Sequence, residues 1–404
     1  MATKAEAFER HARYYLRVLQ AANNAFVKRA IRVAGQTEDD VEDLWRHVGA
    51  ALAWASRNGE NDDRSAADLF CQFVQQGPDL FDVQETPESR VTLYGIALSF
   101  SRKYGCQKDE IAHIGSVGQA YLDLGDANTA MRLFEEQLRL SGSAGDDADK
   151  YRSLSNLGQC FLHISDLERS ITYYREALAI ALKLRNDRNE GDALVNLALV
   201  YYSRGDDDSA ITNLEEGLRK IRAYGDIRAE NVALSNLGLL YLRKNKLAEA
   251  RVATLDALQH SRALGDRRSE AYMIGNLGAI CRKSGDLTHA IEYHQIALDL
   301  NRHLCDTRGQ AQDLGALGLA YYDAGNLPSA IQYYRQQATL NRSIGERRGE
   351  GIALLNVAIA FQRKGDRSQA LSAAGAACDV LGQIGDVNAD KANLLIAQLQ
   401  AMEG

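Results

Sequence analysis

The sequence has little of what marks several classes of protein. Its 404 residues include only 3 prolines, so little interrupts helix formation, which proline opposes by fixing φ and removing an N–H donor. No apolar run approaches the ~20 residues that a membrane-spanning helix needs. The residues after Met1 carry charges and no apolar core of a signal peptide. We therefore expect a helical protein without a membrane partner.

Paired cysteine motifs and excess positive charge are also missing. The six cysteines are scattered and form no Cys-x-x-Cys motif, which favours reduced thiols and a cytoplasmic location. The net charge of -7 provides no overall basic field for nucleic acid or anionic lipid. We expect no nucleic-acid partner.

Signatures of catalysis and metal binding are absent as well. The eight histidines form no His-Glu-x-x-His motif, and no Gly-x-Ser-x-Gly elbow or phosphate-binding Gly-x-x-x-x-Gly-Lys motif occurs. Cys160 and Cys281 fall on the packing face of the repeat described below, which indicates inert buried thiols. The acidic run 206–208 resembles an exposed turn and helix cap more than a calcium loop. We expect no enzyme, no metal and no cofactor.

What the sequence does contain is one segment that returns every 40 residues. Its clearest copy is Leu-Ser-Asn-Leu-Gly-Leu-Leu-Tyr at 234–241. Other copies begin at Ile114, Leu154, Leu194, Ile274, Leu314 and Leu354. A repeat of this length predicts an array in which each unit buries its apolar face only against its neighbours.

The pattern within each 40-residue repeat predicts two helices joined by short turns. The turns carry Gly or Asn, which tolerate positive φ, followed by Asp or Asn, which cap the next helix. Five residues after the turn comes a small residue, which predicts close helix approach. The second helix buries a stripe at helical spacing, for example Ile211, Leu214, Leu218 and Ile221.

The Leu-x-x-Leu-Gly-x-x-Tyr pattern with an early Ala in the second helix resembles the tetratricopeptide repeat (TPR), whose usual period is about 34 residues. It is similar to the subclass with 40-residue repeats, which includes the LGN/Pins repeats. The resemblance implies an all-α fold, a right-handed TPR superhelix (α-solenoid) of helix-turn-helix repeats. We expect an N-terminal helical cap at 1–86, the repeat array at 87–386 and a C-terminal capping helix at 387–404.

The first hundred residues predict separate helices near 4–32, 38–58 and 64–76, with a loop at 77–87 and a helix at 88–104. The second of these helices should end at Gly59 in a left-handed conformation. The segments 11–16, 44–46 and 50–55 resemble the junction between the NTPase core and the helical sensor of bacterial STAND regulators of the MalT-like and NB-ARC-like type. If so, this is a sensor arm without its motor.

One asparagine recurs within the repeat, and its position implies a site. In TPR proteins this position faces the concave groove, where an amide suits an extended peptide because it offers donors and an acceptor. The alternative is that each amide bonds a neighbouring repeat and fixes the stacking. Ala316 interrupts the series, whose members are Asn156, Asn196, Asn236, Asn276 and Asn356.

One turn further along the same helix the residues vary between repeats. Variation favours ligand contacts over stacking contacts, which should recur. Arginine and lysine here favour an acidic peptide, and tyrosines favour flat apolar anchors. The alternative is solvated helix ends whose cations suit the helix dipole. The predicted groove residues are Tyr202, Arg243, Tyr272, Arg282, Lys283, Tyr322 and Arg363.

A ladder of Arg and Glu two residues apart marks each repeat junction, as in Arg268 with Glu270 and Arg348 with Glu350. Its regular recurrence favours structural ion pairs of modest stability.

The sequence thus predicts a non-catalytic scaffold that binds a protein or peptide. One hypothesis is the ligand-sensing arm of a STAND-type signalling NTPase, and another is a free-standing adaptor that bridges two proteins. A third is an autoinhibited regulator whose N-terminal helices (4–58) occupy the groove until a ligand displaces them.

Overall fold

The computed structural model describes residues 4–29, 38–77, 81 and 85–401, and within these ranges it contains helices and no strand. The chain divides into unit 1, Met1–Gly225, and unit 2, Asp226–Gly404. The helices of unit 1 are α1 (Lys4–Arg29), α2 (Glu38–Glu60), α3 (Arg64–Gln76), α4 (Pro87–Tyr104), α5 (Gln107–Asp123), α6 (Ala127–Ala144), α7 (Asp147–His163), α8 (Leu167–Leu184), α9 (Asp187–Arg204) and α10 (Asp207–Tyr224).

Unit 2 continues the same pattern of consecutive helices that pack against one another. Each unit is therefore a stack of helical hairpins, and the all-α expectation is confirmed. The helices of unit 2 are α11 (Ile227–Arg243), α12 (Leu247–Leu264), α13 (Arg267–Lys283), α14 (Leu287–His303), α15 (Thr307–Asp323), α16 (Leu327–Ser343), α17 (Arg347–Lys364), α18 (Arg367–Gln383) and α19 (Asn388–Ala401).

A residue with positive φ ends each helix from α4 to α18, once every 20 residues from Gly105 to Gly385. Most are glycines, which adopt this conformation without strain. An Asp or Asn one residue later then caps the next helix in most turns. Asp226, for example, accepts from the backbone N–H groups of Arg228 and Ala229 at 3.0 Å each. The predicted turn chemistry is thus confirmed.

Four of these left-handed positions hold a residue other than glycine: Ser165, Arg185, Asn245 and Cys305. We expect Arg185→Gly (φ 52°) to raise the free energy of unfolding by roughly 0.5 to 1 kcal/mol, because glycine removes the Cβ penalty of that conformation. The reverse change in the next turn, Gly205→Arg (φ 83°), should lower it. Urea unfolding of both variants measures this, and a loss of stability in both would contradict the explanation.

The predicted small residue of each second helix is fully buried, as close helix approach requires. The predicted stripe is buried too, with Ile211, Leu214, Leu218 and Ile221 between 1% and 7% exposed. The fully buried small residues are Ala130, Ser170, Ala210, Ala250, Ala290, Ala330 and Ala370.

The two helices of each hairpin also carry side chains of complementary size at a second pair of facing positions. The ring of Tyr174 packs on Gly158, the ring of His294 on Gly278 and the ring of Tyr334 on Gly318, each with too little room for a methyl group. Where the opposing residue is aliphatic, the equivalent position is alanine, as at Ala198 across from Leu214. Glycine at this position therefore makes room for a larger facing side chain, which is a ring in these three hairpins and Thr254 at Gly238.

The N-terminal helices form a core of their own. Buried side chains of α1 and α2, including Leu19 and Val48, pack with Leu69 and Phe73 of α3. The boundaries predicted for α3 are confirmed. The predicted stop of α2 at Gly59 is wrong: the helix runs on to Glu60.

Gly59 lies against another helix rather than at a helix end, since an added Cβ would be 2.8 Å from Phe100. Asp62 has the positive φ instead. Pro87, predicted as loop, is the first residue of α4. The predictions for 30–37 and for most of the loop at 77–87, including Pro78, lie outside the described residues.

The acidic members of the Arg/Glu ladder form ion pairs with cations outside the ladder. Glu350 is 1% exposed and pairs with Arg342 at 2.6 Å and with Arg347 at 2.9 Å. Glu270 pairs in the same way with Arg262 and Arg267. The ladder arginine Arg348 pairs with Asp386 of the next turn at 2.7 Å.

Candidate functional site

The asparagine ladder lies at one position in the first helix of each hairpin. In unit 1 its members are Asn156 on α7 and Asn196 on α9, both half-buried. In unit 2, Asn236 on α11 and Asn356 on α17 are half-buried, and Asn276 on α13 is only 9% exposed. The equivalent position on α15 is Ala316. The repeat period therefore aligns the ladder within each unit.

The ladder amides have unused hydrogen-bonding capacity. In the part of the chain that the structure describes, no side-chain hydrogen bond involves any of the five asparagines. Asn276 is the most enclosed, and its Nδ2 is buried without a partner. No bond to a neighbouring repeat thus accounts for these amides.

Three of the variable residues bridge adjacent repeats. Arg282 pairs with Asp323 at 2.7 Å, and Lys283 Nζ donates to the carbonyl of Leu242 at 2.8 Å. Arg363 donates to the carbonyl of Tyr322 at 2.7 Å and lies 4.6 Å from the centre of its ring. Variation between repeats therefore does not separate ligand contacts from stacking contacts.

The remaining predicted groove residues are exposed. Tyr202 is 39% and Tyr272 46% exposed, and Arg243 is exposed at the end of α11. Asp323 offsets the charge of Arg282, so the exposed cations among the predicted groove residues of unit 2 are Arg243, Lys283 and Arg363.

A cavity of about 340 Å³ opens in unit 2 where Ala316 interrupts the ladder. Tyr272 and Asn276 of α13 line it, together with residues of α14 and α15. Sequence analysis missed the polar residues among them, and the available signal was their departure from the repeat pattern. These residues are His294, Asn301 and Asp313.

Asp313 is a carboxylate 7% exposed in a packing position. Burial raises the pKa of the carboxyl, a hydrogen bond from Asn301 opposes the rise, and Asp306 adds to it, so that the pKa is about 7. That bond joins Asn301 Nδ2 to Asp313 Oδ2 at 2.7 Å. Near neutral pH the carboxyl is therefore only partly ionised.

His294 is 3% exposed and has no hydrogen-bond partner at either ring nitrogen. Burial lowers the pKa of its imidazole to about 4, and Arg282 contributes. The ring is therefore neutral near pH 7, with one donor and one acceptor unused.

The thiols predicted to be inert are buried. Cys160 is fully buried, and burial raises the pKa of its thiol to about 12. Cys281 is 2% exposed, and burial raises the pKa of its thiol as well. Asp206 caps α10 by accepting from the N–H of Ser209 at 3.2 Å, as predicted.

Two searches of the described ranges had negative results. No cluster of three or more His, Cys, Asp or Glu side chains there could hold a metal ion. No helix there is both long enough and apolar enough to cross a bilayer.

A sequence profile of the tetratricopeptide repeat matches residues 109–183, 149–223 and 267–340. Comparison with curated protein sequences gives no significant match. Among solved structures, a STAND (signal transduction ATPase with numerous domains) protein with a tetratricopeptide repeat sensor from Pyrococcus horikoshii has a TM-score of 0.64 at 13% identity. That similarity covers 100% of this chain and 63% of the other.

Two further structures share the fold over most of both chains. The quorum sensor NprR from B. thuringiensis, in its apo form, has a TM-score of 0.60 at 16% identity and covers 92% of this chain and 99% of its own. A Rap protein complexed with Competence and Sporulation Factor has a TM-score of 0.52 at 12% identity, with 84% and 98% covered. The repeat profile and the stacked helical hairpins show that the chain contains tetratricopeptide repeats, and its fold is similar to that of a STAND protein with such a sensor.

Proposed function

We propose that the chain is a non-catalytic scaffold that binds an extended segment of a protein or peptide along the asparagine ladder. Repeat proteins present extended surfaces of this kind for binding. Within this proposal the ladder amides hold the backbone of the partner, and the exposed tyrosines contact its side chains.

The observation that supports this most is the absence of any side-chain hydrogen bond at the five ladder asparagines, as far as the described residues extend. An amide offers two donors and an acceptor, and an extended peptide has backbone groups that need both. A buried donor without a partner costs roughly 1 to 3 kcal/mol. A carbonyl that accepts from Asn276 Nδ2 would remove that cost.

Charge supports an acidic segment as the partner of unit 2. Arg243, Lys283 and Arg363 are exposed, and a carboxylate can accept two hydrogen bonds from one guanidinium. Tyr272, 46% exposed, offers a flat surface beside them.

The role we favour is the ligand-sensing arm of a STAND-type signalling protein in the cytoplasm. The fold shared with a STAND protein that has a tetratricopeptide repeat sensor supports it, and the free cysteines are in keeping with that location. The free-standing adaptor is the second candidate, supported by the similarity that covers 99% of the NprR chain. Autoinhibition is less favoured, because Leu19 of α1 and Val48 of α2 are buried in a core with α3.

We expect Asn236→Ala combined with Asn276→Ala to weaken capture of peptides from a random-sequence pool by the full chain. Loss of a buried hydrogen bond should lower the binding free energy by roughly 1 to 3 kcal/mol, while the helical circular dichroism stays the same. Quantitative mass spectrometry of the captured peptides measures the first effect.

The matched control is Asn128→Ala with Asn213→Ala, which removes two amides from second helices (α6 and α10). Equal capture by the ladder variant and the control would show that the ladder does not bind peptide. If the ladder variant loses its cooperative unfolding transition, the ladder is structural.

A further inference from the structure

The cavity beside Ala316 lies where small residues occupy two places in its lining. Gly275 on α13 faces Ala297 on α14, and both are small. Ala316 replaces the ladder asparagine. The equivalent positions Gly115 and Gly315 are also glycine, but there the side chains of Gln137 and Gln337 fill the space that Ala297 leaves open. The other equivalent positions hold Ser155, Val195, Ser235 and Leu355.

The same cavity has gained polar groups. None of the positions equivalent to Asp313 holds a carboxylate, and all are at most 1% exposed: they are His113, Ser153, Ala193, Ala233, Met273 and Ala353. A carboxylate in this packing layer has no structural counterpart in those repeats. Room and polarity therefore change together at one junction.

The free atoms of the lining define what a ligand must offer. Asn301 Nδ2 already donates a hydrogen bond to Asp313 Oδ2. Asp313 Oδ1 faces Gly275, 3.4 Å from the place of an added Cβ, and accepts no hydrogen bond from the described residues. Asn276 Nδ2 is a buried donor without a partner. A ligand therefore needs a donor for the carboxylate and an acceptor close to it.

We propose that this cavity binds a protonated α-amino group and the carbonyl or carboxylate beside it, the ammonium on Asp313 and the oxygen on Asn276. Its source is the free N-terminus of the peptide on the ladder or a free amino acid. The first source rests on the proposed function, since Asn276 belongs to both sites. The cavity volume suits a ligand of one or two residues.

The charges around Asp313 agree with an ammonium ion. From α14 it meets only neutral groups, Asn301 and the unprotonated His294. At the start of α15, Asp306 adds a second carboxylate to the lining. A bound ammonium would offset both and favour the ionised form of Asp313.

Two arginines at the cavity would suit a free amino acid as the ligand. Arg268 of α13 has no ion-pair partner among the described residues, and Arg308 of α15 has only Glu346 at 3.6 Å. A guanidinium can hold the carboxylate of a free amino acid.

The experiment compares two random-sequence peptide pools, one with free N-termini and the other N-acetylated, for capture by the full chain. Acetylation removes the positive charge and the donors. We expect about tenfold or more lower capture of the acetylated pool, since a hydrogen bond to a charged group is lost. Asp313→Asn should erase the difference, and so should Ala316→Asn, which restores the repeat side chain and fills the opening.

The matched control is Asp379→Asn, an exposed carboxylate on α18, which should leave the difference intact. Competition by single amino acids and by their N-acetylated forms identifies the source. If amino acids displace the free pool and the acetylated forms do not, the cavity takes a free amino acid. If neither does, it takes the peptide N-terminus.

The outcomes separate this inference from the proposed function. Equal capture of both pools by the wild type, reduced by Asn236→Ala, would overturn the inference and leave the ladder proposal standing. No capture of either pool, and no amino acid that raises the melting temperature of the wild type above that of Asp313→Asn, would overturn both.

Discussion

Asp313→Asn is expected to be more stable than the wild type at pH 8. The difference between their free energies of unfolding should be roughly 4 kcal/mol larger at pH 8 than at pH 4. The carboxyl has a pKa of about 7 when folded and 3.8 as its ordinary value. Between these values the folded state binds more protons than the unfolded state, so the stability of the wild type falls as pH rises from about 4 to about 7. Asparagine never ionises, and its oxygen can still accept from Asn301.

Urea unfolding of both proteins at a series of pH values measures this difference. Burial lowers the pKa of His113 and of His294 to about 4, so their contribution is lost as pH falls from 6.5. Those residues are the same in both proteins and cancel in the comparison. Asp379→Asn serves as the control for removing a carboxylate that is exposed. A pH-independent difference for Asp313→Asn would mean that Asp313 is solvated in the folded chain.

Greater stability of Asp313→Asn also removes unfolding as a cause of any loss of ligand binding by this variant. The substitution should stabilise the fold near neutral pH, so a loss of peptide capture would not come from unfolding. A carboxylate that lowers stability and has no charged partner is typical of a ligand-binding site.

The fold could be predicted from the sequence because a short-range pattern determines it. Within each 40-residue unit, turn residues, caps and apolar spacing agree with one another, and agreement across these levels is what makes a sequence readable. The prediction of the end of α2 was wrong because glycine is typical of a helix terminus. Gly59 instead makes room for Phe100, a residue distant in sequence.

The site could be predicted only in part. The asparagine ladder follows from the period, and its positions on the first helices are as expected. Whether Arg282 faces a ligand or Asp323 depends on the distance between repeats, which the sequence does not state. The cavity beside Ala316 was missed because it shows only as departures from the pattern, such as a carboxylate at Asp313 where the other repeats have none.

Gly318→Ala is expected to lower the free energy of unfolding by about 2 to 3 kcal/mol, because the added methyl overpacks a filled core. Its Cβ would lie 2.5 Å from Cδ1 of Tyr334, whose side chain is 2% exposed and cannot move aside. Gly375→Ala is the control: nothing lies within 4 Å of its Cβ position, so better helix propensity should raise stability by about 0.5 to 1 kcal/mol.

The double variant tests the fit between Gly318 and Tyr334 more strictly than the single variants do. Tyr334→Leu alone should destabilise by leaving a cavity, but Gly318→Ala with Tyr334→Leu reproduces the combination found at Ala198 and Leu214. The two changes should therefore cost less together than the sum of the single variants, by about 2 kcal/mol. Urea unfolding of the four proteins gives this coupling. Additive losses would mean that the contact between ring and glycine does not limit the approach of α15 and α16, and that the size matching between hairpin helices has another cause.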